Sequence, residues 1–489
     1  MDPAVRDVVS TLSSLPNVQA QTLRRETLAH LRSQKSSAGA KSPVVVVLDD
    51  DPTGTQTCHD VVILTAWDKP RLVAEFAATA PGSGFFILTN SRALHPHQAR
   101  SLVCEICRNL QEAASEAGVR FEVVLRSDST LRGHFPLEAD AAEEVLGQAD
   151  AWVLCPFFLQ GGRYTIDDVH YVKEGEKLIP AAQTPFAKDA TFGYKNSNLL
   201  DYVVEKSRGS IPREQVTAIS IQTIRNGGKD GVLKELVSKM GEINRPVFVI
   251  NAAADEDVDV VVAALLEAST VFGKRFLFRT GAAFVSARLA IEGIPPILAS
   301  QLGISGSQRG GLIIAGSYVP KTTAQLEVLR TRSGENLTSI VIDVRQLLES
   351  PQDAKEGEIS RALEIAARDI ARGQDVLVMT SRELIVGEDE AKSLDIGSVV
   401  ASSLVSFLER LEERPRYVIA KGGITSSDMA TKGLRFKRAT IVGQAAPGVP
   451  LWRCDEPSSK WTGIPYVVFP GNVGTDETLY QVVEGWRSR

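Results

Sequence analysis

Short runs of apolar, largely β-branched residues recur along the chain, and each breaks off in a turn residue or a polar cluster. VVVVL (44–48), VVILT (61–65), FFILT (85–89), FEVVL (121–125), AWVLC (151–155) and PVFVI (246–250) make a first series. Runs that are apolar throughout, rather than alternating, predict strands covered on both faces. Longer amphipathic stretches such as HQARSLVCEICRNLQEAASEAG, starting at His97, lie between several of them and predict helices. Strands alternating with helices predict an α/β domain built on a mainly parallel sheet. The first two runs are too close for a helical crossover, so a local hairpin or mixed pairing is expected there. A second series follows: GLIIA (311–315), SIVID (339–343), DVLVMT (375–380), RYVIA (416–420), ATIVG (439–443) and YVVF (466–469).

The segment PPILASQLGISGSQRGG (295–311) separates the two series. A chain of 489 residues also exceeds the length at which one hydrophobic core stops growing. The pattern therefore predicts two α/β domains, residues 43–295 and 308–489. Before them, residues 1–42 read as a leader helix followed by the flexible stretch SQKSSAGAKSP. Ligands of such folds sit at the carboxyl ends of strands and in clefts between domains, and the polar clusters of this chain fall at predicted strand ends.

Composition narrows the function classes. Hydrophobic residues at 43% leave ample material for a core, and a net charge of −6 argues against a general binder of nucleic acid or anionic membrane. Five cysteines (Cys58, Cys104, Cys107, Cys155 and Cys454) are too few and scattered for a disulfide framework, which favours a reducing compartment. Cys104 and Cys107 form a C-x-x-C on an amphipathic helix with no second pair, so core packing is the expected role. No apolar run approaches the roughly 20 residues of a membrane span. MDPAVRDVVS is not a secretory signal, and the predicted location is cytoplasmic.

The candidate chemistry begins with VVVVLDDDPTGTQ (44–56). Three adjacent carboxylates at the end of a buried strand repel one another and lose hydration, so folding alone does not call for them. Asp49-x-Asp51-x-Thr53 reads as the D-x-D-x-T nucleophile loop of haloacid-dehalogenase-type phosphatases. Shifted by one, Asp50-Asp51-x-Thr53-Gly54 reads as a loop that holds a polyhydroxy substrate and accepts its proton. LRSDSTLRGHFPLE (125–138) adds Arg126, Asp128, Arg132, His134 and Glu138, with the hydroxyls of Ser127, Ser129 and Thr130 and the close-approach residue Gly133. TNSRALHP (89–96) offers Asn90, Ser91 and Arg92, and CPFFLQGGRYTIDDVHYV (155–172) presents Arg163 after Gly161-Gly162, then Tyr164, Thr165 and His170. His170 suits a structural role as well as a site. Carboxylates for hydroxyl groups and arginines for an acidic head match a small polyhydroxy acid.

In the second half, YVIAKGGITSSDMATKGL (417–434) runs from a strand through Gly422-Gly423 into Thr425, Ser426, Ser427 and Asp428. It reads equally as an anion cradle or as an ordinary capped strand-to-helix turn. AGSYVPKTTAQL (315–326) supplies Gly316, Ser317, Lys321 and Thr322, but Pro320 occupies the second glycine position of a Walker A loop, so it is not a P-loop. GQAAPGVPLW (443–452) and FPGNVGTDETL (469–479) add further glycine turns. Together they suggest a nucleotide site without a standard fingerprint.

Taken in order, these segments resemble the four-carbon acid sugar kinase family from about residue 44 to 480. The marks are Asp50–Gly54, TNSRAL, the D-S-T-L-R-G core at Asp128–Gly133, the Gly316-Ser317 turn, Gly422–Ser426 and the terminal glycine loop. The resemblance favours the D-D-x-T-G frame. A dehalogenase-type phosphatase would also bring a G-D-x-x-x-D acid pair, which is not found. The resemblance implies a sugar-acid domain, then a nucleotide domain, with the active site in the interdomain cleft. It implies ATP-dependent phosphorylation of the terminal hydroxyl of threonate, erythronate or a 3-oxo-tetronate, with Mg2+ bridging the phosphates. Asp50 and Asp51 are the implied catalytic pair. Thr53, Gly54, Arg92, Arg126, Asp128, Ser129, Arg132 and Arg163 are the implied substrate contacts. Ser317, Gly422, Gly423, Ile424, Thr425, Ser426, Gly443, Gly471 and Gly474 are the implied nucleotide contacts. No metal-ligand set is implied by these residues, and a homodimer is left open.

Departures fall mostly in the nucleotide half. Pro470-Gly471-Asn472-Val473-Gly474 stands where members often read Ser-Gly-Asn-Phe-Gly, Val319 where a second serine is common, and Ile424 where a polar residue is common. Arg126 replaces a frequent lysine, and the leader is extra. The alternatives are a phosphatase using Asp49 and Asp51, and a non-catalytic sugar-acid-binding protein.

Overall fold

The computed structural model describes residues 3–18, 23–33, 42–316, 318–349, 352–382 and 390–487. The chain divides into two compact units, Met1–Cys58 with Ala66–Gly293, and His59–Thr65 with Ile294–Arg489.

The first unit is organised by a parallel sheet in the strand order Val216–Ile219, Val247–Ile250, Ala151–Cys155, Phe276–Thr280, Phe121–Arg126, Val44–Asp49 and Gly84–Leu88. Val44–Asp49 and Gly84–Leu88 are buried along their whole length, as strands covered on both faces must be. Asp49 is in register with Arg126 on one side and Leu88 on the other. Because the strands are parallel, the residues following Asp49, Leu88, Arg126 and Thr280 emerge at one edge of the sheet. Helix Pro96–Ala117 buries Cys104 and Cys107, both unpaired, on its apolar face and stops at Gly118, whose φ of 65° favours glycine.

A small antiparallel sheet orders Arg6–Asp7, Lys177–Pro180, Val169–Glu174 and Arg163–Ile166. The leader is therefore built into this unit, contributing an edge strand and the helices Val8–Ser14 and Leu23–Ser33. Arg24 pairs with Asp259 at 2.8 Å, and Arg225 donates to the Pro16 carbonyl at 2.8 Å. Residues 34–41 of the stretch expected to be flexible lie outside the described residues.

The second unit orders Val61–Leu64, Arg438–Ala446, Val449–Cys454, Pro465–Phe469, Val418–Lys421, Leu312–Ala315, Asp375–Thr380 and Leu337–Ile342. The last five are mutually parallel and the first three antiparallel. Of the local hairpin or mixed pairing expected at the first two apolar runs, the hairpin does not form and Val61–Leu64 enters a mixed sheet. Val44–Asp49 has both edges occupied by parallel partners, and Val61–Leu64 pairs instead with Arg438–Ala446, Val61 opposite Ile441. Both units are thus mixed α/β with mainly parallel sheets, as the apolar pattern predicts. No described helix is long and apolar enough to cross a membrane.

Candidate functional site

In the first unit the strand edge gathers five carboxylates and five arginines. Asp49 is fully buried, with Oδ1 accepting from Arg126 Nη1 at 3.1 Å and from the Asp51 amide at 3.3 Å. Burial pushes its carboxyl up to about 7, with Arg126 opposing and Asp50 and Asp51 adding to the shift. Gly54 packs against this carboxyl, and a Cβ there would fall 2.1 Å from Asp49 Oδ2. Glycine at 54 is thus required by close approach, since any larger residue collides with Asp49.

Asp50 and Asp51 are adjacent but differently placed. Asp51 caps the turn Pro52–Thr55, accepting from the Thr53 amide at 2.8 Å and from the Thr53 hydroxyl, and it forms an ion pair with Arg92. Burial opposes its ionisation, but Arg92 and Thr53 outweigh it and hold Asp51 below the usual carboxylate range. Asp50 is buried with neither carboxylate oxygen hydrogen-bonded, its nearest cation being Arg126 Nη1 at 3.6 Å. Desolvation raises its pKa against the pull of Arg92 and Arg126. A buried acceptor without a donor costs free energy, and Asp49 Oδ2 shares this state among the described residues.

The Ser127–His134 loop closes over these groups. Asp128 accepts from Arg132 Nε at 2.7 Å and from Thr130, and lies 3.4 Å from Arg92, so despite burial it is held well below the usual carboxylate range. Four consecutive carbonyls of the loop are pinned from outside. Ser129 receives His170 Nε2 at 2.7 Å, Thr130 the Tyr194 hydroxyl at 2.8 Å, Leu131 the Tyr202 hydroxyl at 2.7 Å and Arg132 the Arg279 guanidinium at 3.3 Å. His170 Nδ1 accepts from Thr165, so both ring nitrogens are engaged, and burial depresses its pKa to about 4. His170 is a neutral strut for the loop. Gly133, with φ of 122°, faces Asp50 Oδ2, and a Cβ there would lie 3.2 Å away. Behind the loop Ser91 donates to Glu138 at 2.5 Å, while burial raises Glu138 to about 7.

The arginines separate into two groups. Arg92, Arg126 and Arg132 each lie in an ion pair with an aspartate. Arg163 and Arg279 have no ion-pair partner among the described residues. Arg163 donates to the Gly161 carbonyl and lies 5.7 Å from the Phe186 ring centre, and Arg279 stacks 5.2 Å from that of Phe135. Nε of each is buried and unpartnered. Arg163 is depressed by desolvation. The site therefore holds two cations with capacity for an anion.

In the second unit three adjacent parallel strands, Pro465–Phe469, Val418–Lys421 and Leu312–Ala315, end in Pro470–Gly474, Gly422–Ser426 and Gly316. A Cβ on Gly316 would lie 3.0 Å from Thr425 Oγ1, and one on Gly474 (φ 82°) would lie 2.6 Å from Thr478 Oγ1. Gly422, at φ 110°, donates to the Phe469 carbonyl, and Ser426 Oγ caps the Ala420 carbonyl at 2.8 Å. The Ile424 side chain is exposed, whereas Ser426 is fully buried. Gly443 is not at these strand ends. It lies at a bulge in Arg438–Ala446, with Ile294 and Ile297 against it, and the strand Val449–Cys454 separates it from Pro465–Phe469. Ser317 lies outside the described residues.

Residues 45–288 match a family described as the sugar-binding N-terminal domain, and residues 312–479 one described as the nucleotide-binding C-terminal domain. The chain belongs to the four-carbon acid sugar kinase family. It is 25% identical over 336 residues to a D-erythronate kinase of Heliobacterium modesticaldum, covering 66% of this chain and 69% of the relative. It is 22% identical over 457 residues to a D-threonate kinase of Bordetella bronchiseptica, covering 91% and 98%. A crystal structure of a Haemophilus influenzae protein from a domain-of-unknown-function family superposes with a TM-score of 0.61 at 16% identity, covering 90% and 99%, and so shares the fold.

Within this family frame, the structure brings Asp50, Asp51, Thr53, Gly54, Arg92, Arg126, Asp128, Ser129, Arg132 and Arg163 into or around one polar cluster. Arg279 was not singled out from the sequence, although FLFRT ends an apolar run in arginine just as FEVVLR does. Lys421 carries no sequence signal beyond being a lone lysine that closes a buried strand immediately before Gly422.

Proposed function

We propose that this protein transfers the γ-phosphoryl group of ATP to the terminal hydroxyl of a four-carbon sugar acid of the threonate, erythronate or 3-oxo-tetronate type. The observation that carries the reading is Asp50, a buried carboxylate whose oxygens accept no hydrogen bond among the described residues, in a cluster that also holds Arg163 and Arg279, neither in an ion pair among those residues. The named activities of the two kinase relatives support the same substrate class.

Phosphoryl transfer asks the protein mainly for alignment and charge neutralisation. Asp50 accepts the proton of the acceptor hydroxyl as its oxygen attacks the γ-phosphorus and ADP leaves. Its raised pKa makes it a better base than Asp51, which Arg92 and Thr53 hold in the ionised form. Asp51 and Asp128 orient substrate hydroxyls. Arg163 and Arg279 receive the substrate carboxylate, because Arg92 and Arg126 are engaged by aspartates in the free protein. The glycine turns at Gly422–Ser426 and Pro470–Gly474 cradle the nucleotide. Mg2+ bound with the ATP phosphates would neutralise their charge.

The phosphatase reading requires Asp49 as nucleophile. Its carboxyl is fully buried with Gly54 packed against it and with Oδ1 engaged by Arg126, a poorer position for attack on phosphorus than an open strand-end nucleophile would have. The test is ADP release from Mg-ATP across a panel of four-carbon sugar acids. Release that depends on one acid supports the kinase, and a flat panel from folded protein overturns it.

A further inference from the structure

Lys421 ends the central strand of the three whose carboxyl ends carry the glycine loops, and it is fully buried. Its Nζ donates to the carbonyls of Pro470 at 2.5 Å and Gly471 at 3.3 Å and lies 4.3 Å from the Phe469 ring centre. No carboxylate pairs with it among the described residues. The charged group reaching it from the neighbouring helix is Lys321, itself paired with Asp476 at 3.1 Å. A buried ammonium without an anion is a costly arrangement unless something supplies the opposite charge.

The loop above it shows where that charge belongs. Thr322 Oγ1 donates to the Gly471 carbonyl, and Gln325 Nε2 to the carbonyls of Val473 and Thr475, at 2.7 to 3.0 Å. With Lys421, these side chains draw the carbonyls of Pro470, Gly471 and Val473 inward. In a trans peptide the N–H points opposite to the C=O, so the amides of Gly471 and Asn472 face away from Lys421 and that of Gly474 away from Gln325. None of the three meets a protein acceptor among the described residues, and Asn472 and Gly474 are exposed. The ammonium, the aligned peptide dipoles and the free N–H groups form a series whose open end attracts an anion.

We propose that Lys421 is a positioning residue whose charge, relayed through the Pro470–Gly474 loop, balances the polyphosphate of a bound nucleoside di- or triphosphate. The inference rests on the kinase reading and adds to it the residue that binds phosphate charge to protonation. Burial, with Lys321 adding to it, depresses the Lys421 pKa to about 7 in the free protein. A polyanion raises it, so binding above neutrality takes up a proton, and affinity falls as pH rises through the pKa of the complex.

The experiment is calorimetry of ADP binding to the full chain at about pH 8, where ADP itself is fully ionised, in two buffers of different ionisation enthalpy. The wild type is expected to take up most of one proton. Lys421→Met is expected to lose that uptake and bind ADP about ten- to a hundredfold more weakly. Lys421→Arg, with a fixed charge, is expected to bind ADP without uptake, so a misfolded methionine variant does not decide the matter. Binding by the wild type without uptake, or a methionine variant with unchanged affinity and uptake, overturns the role of Lys421 alone. Absence of ADP binding by folded wild type removes the kinase reading and this inference with it.

Discussion

Replacing Asp50 with asparagine separates catalysis from stability in a way that replacing Asp51 does not. Asp50 is 3% exposed, neither oxygen accepts a hydrogen bond, and its nearest guanidinium nitrogen is 3.6 Å away. Asparagine keeps the shape and removes the base. Loss of a general base costs about 10²- to 10⁴-fold in kcat, equivalent to about 3–5 kcal/mol of barrier. Stability should move the other way. The folded-state pKa of Asp50 is raised, so between the unfolded value near 3.8 and the folded value the native state binds more protons, and wild-type stability falls as pH rises. Asp50→Asn should therefore melt above wild type at neutral pH, and the gap should close as pH falls to about 4. Asp51→Asn breaks the ion pair with Arg92 instead and should cost on the order of 3 kcal/mol, lowering Tm by about 6–12 °C. The assays are steady-state turnover and thermal melts of both variants across pH. A fully active Asp50→Asn enzyme, or one that melts well below wild type at neutral pH, refutes the assignment of Asp50 as a base held ready at a cost in stability.

Gly54→Ala should cost about 1–3 kcal/mol and displace Asp49, because the new methyl falls within 2.4 Å of its whole carboxyl group; a melt within experimental error of wild type would show that the loop adapts. Arg163→Met and Arg279→Met should each raise KM for the sugar acid about 10- to 100-fold with a smaller effect on KM for ATP, measured by two-substrate kinetics. Equal changes in both constants would disconnect these arginines from the carboxylate. Glu138→Gln keeps the acceptor for Ser91 and removes a carboxyl that burial has raised from 4.5 to about 7. Its melting temperature should exceed that of wild type at about pH 8 and converge with it at about pH 4, because a raised acid destabilises only where it is ionised.

The central strands were legible because burial on both faces writes an unbroken apolar run, and AWVLC and DVLVMT coincide with strands Ala151–Cys155 and Asp375–Thr380. The Arg163–Pro180 strands were not, since short strands carrying Arg163, Thr165, His170 and Lys173 among apolar residues lack that signal. Nor could local spacing reveal that Val61–Leu64 pairs with Arg438–Ala446, a contact about three-quarters of the chain away. The aspartates stood out because three like charges close a valine run. What the sequence could not convey is their inequality, which arises from Arg92 reaching Asp51 and leaving Asp50 without a donor. Arg279 and Lys421 were obscured for a related reason. Each is a single charge at a strand end, and its meaning depends on having no carboxylate partner among the described residues.

The most direct test of the account is mass spectrometry of the sugar acid itself after incubation with Mg-ATP and the wild-type or Asp50→Asn protein. The account predicts that one four-carbon acid gains a single phosphoryl group on its terminal oxygen, one ADP appearing per ester, and that the variant forms it at least about a hundredfold more slowly. ADP appearing with inorganic phosphate and an unmodified acid, or ester formation undiminished in the variant, would contradict it.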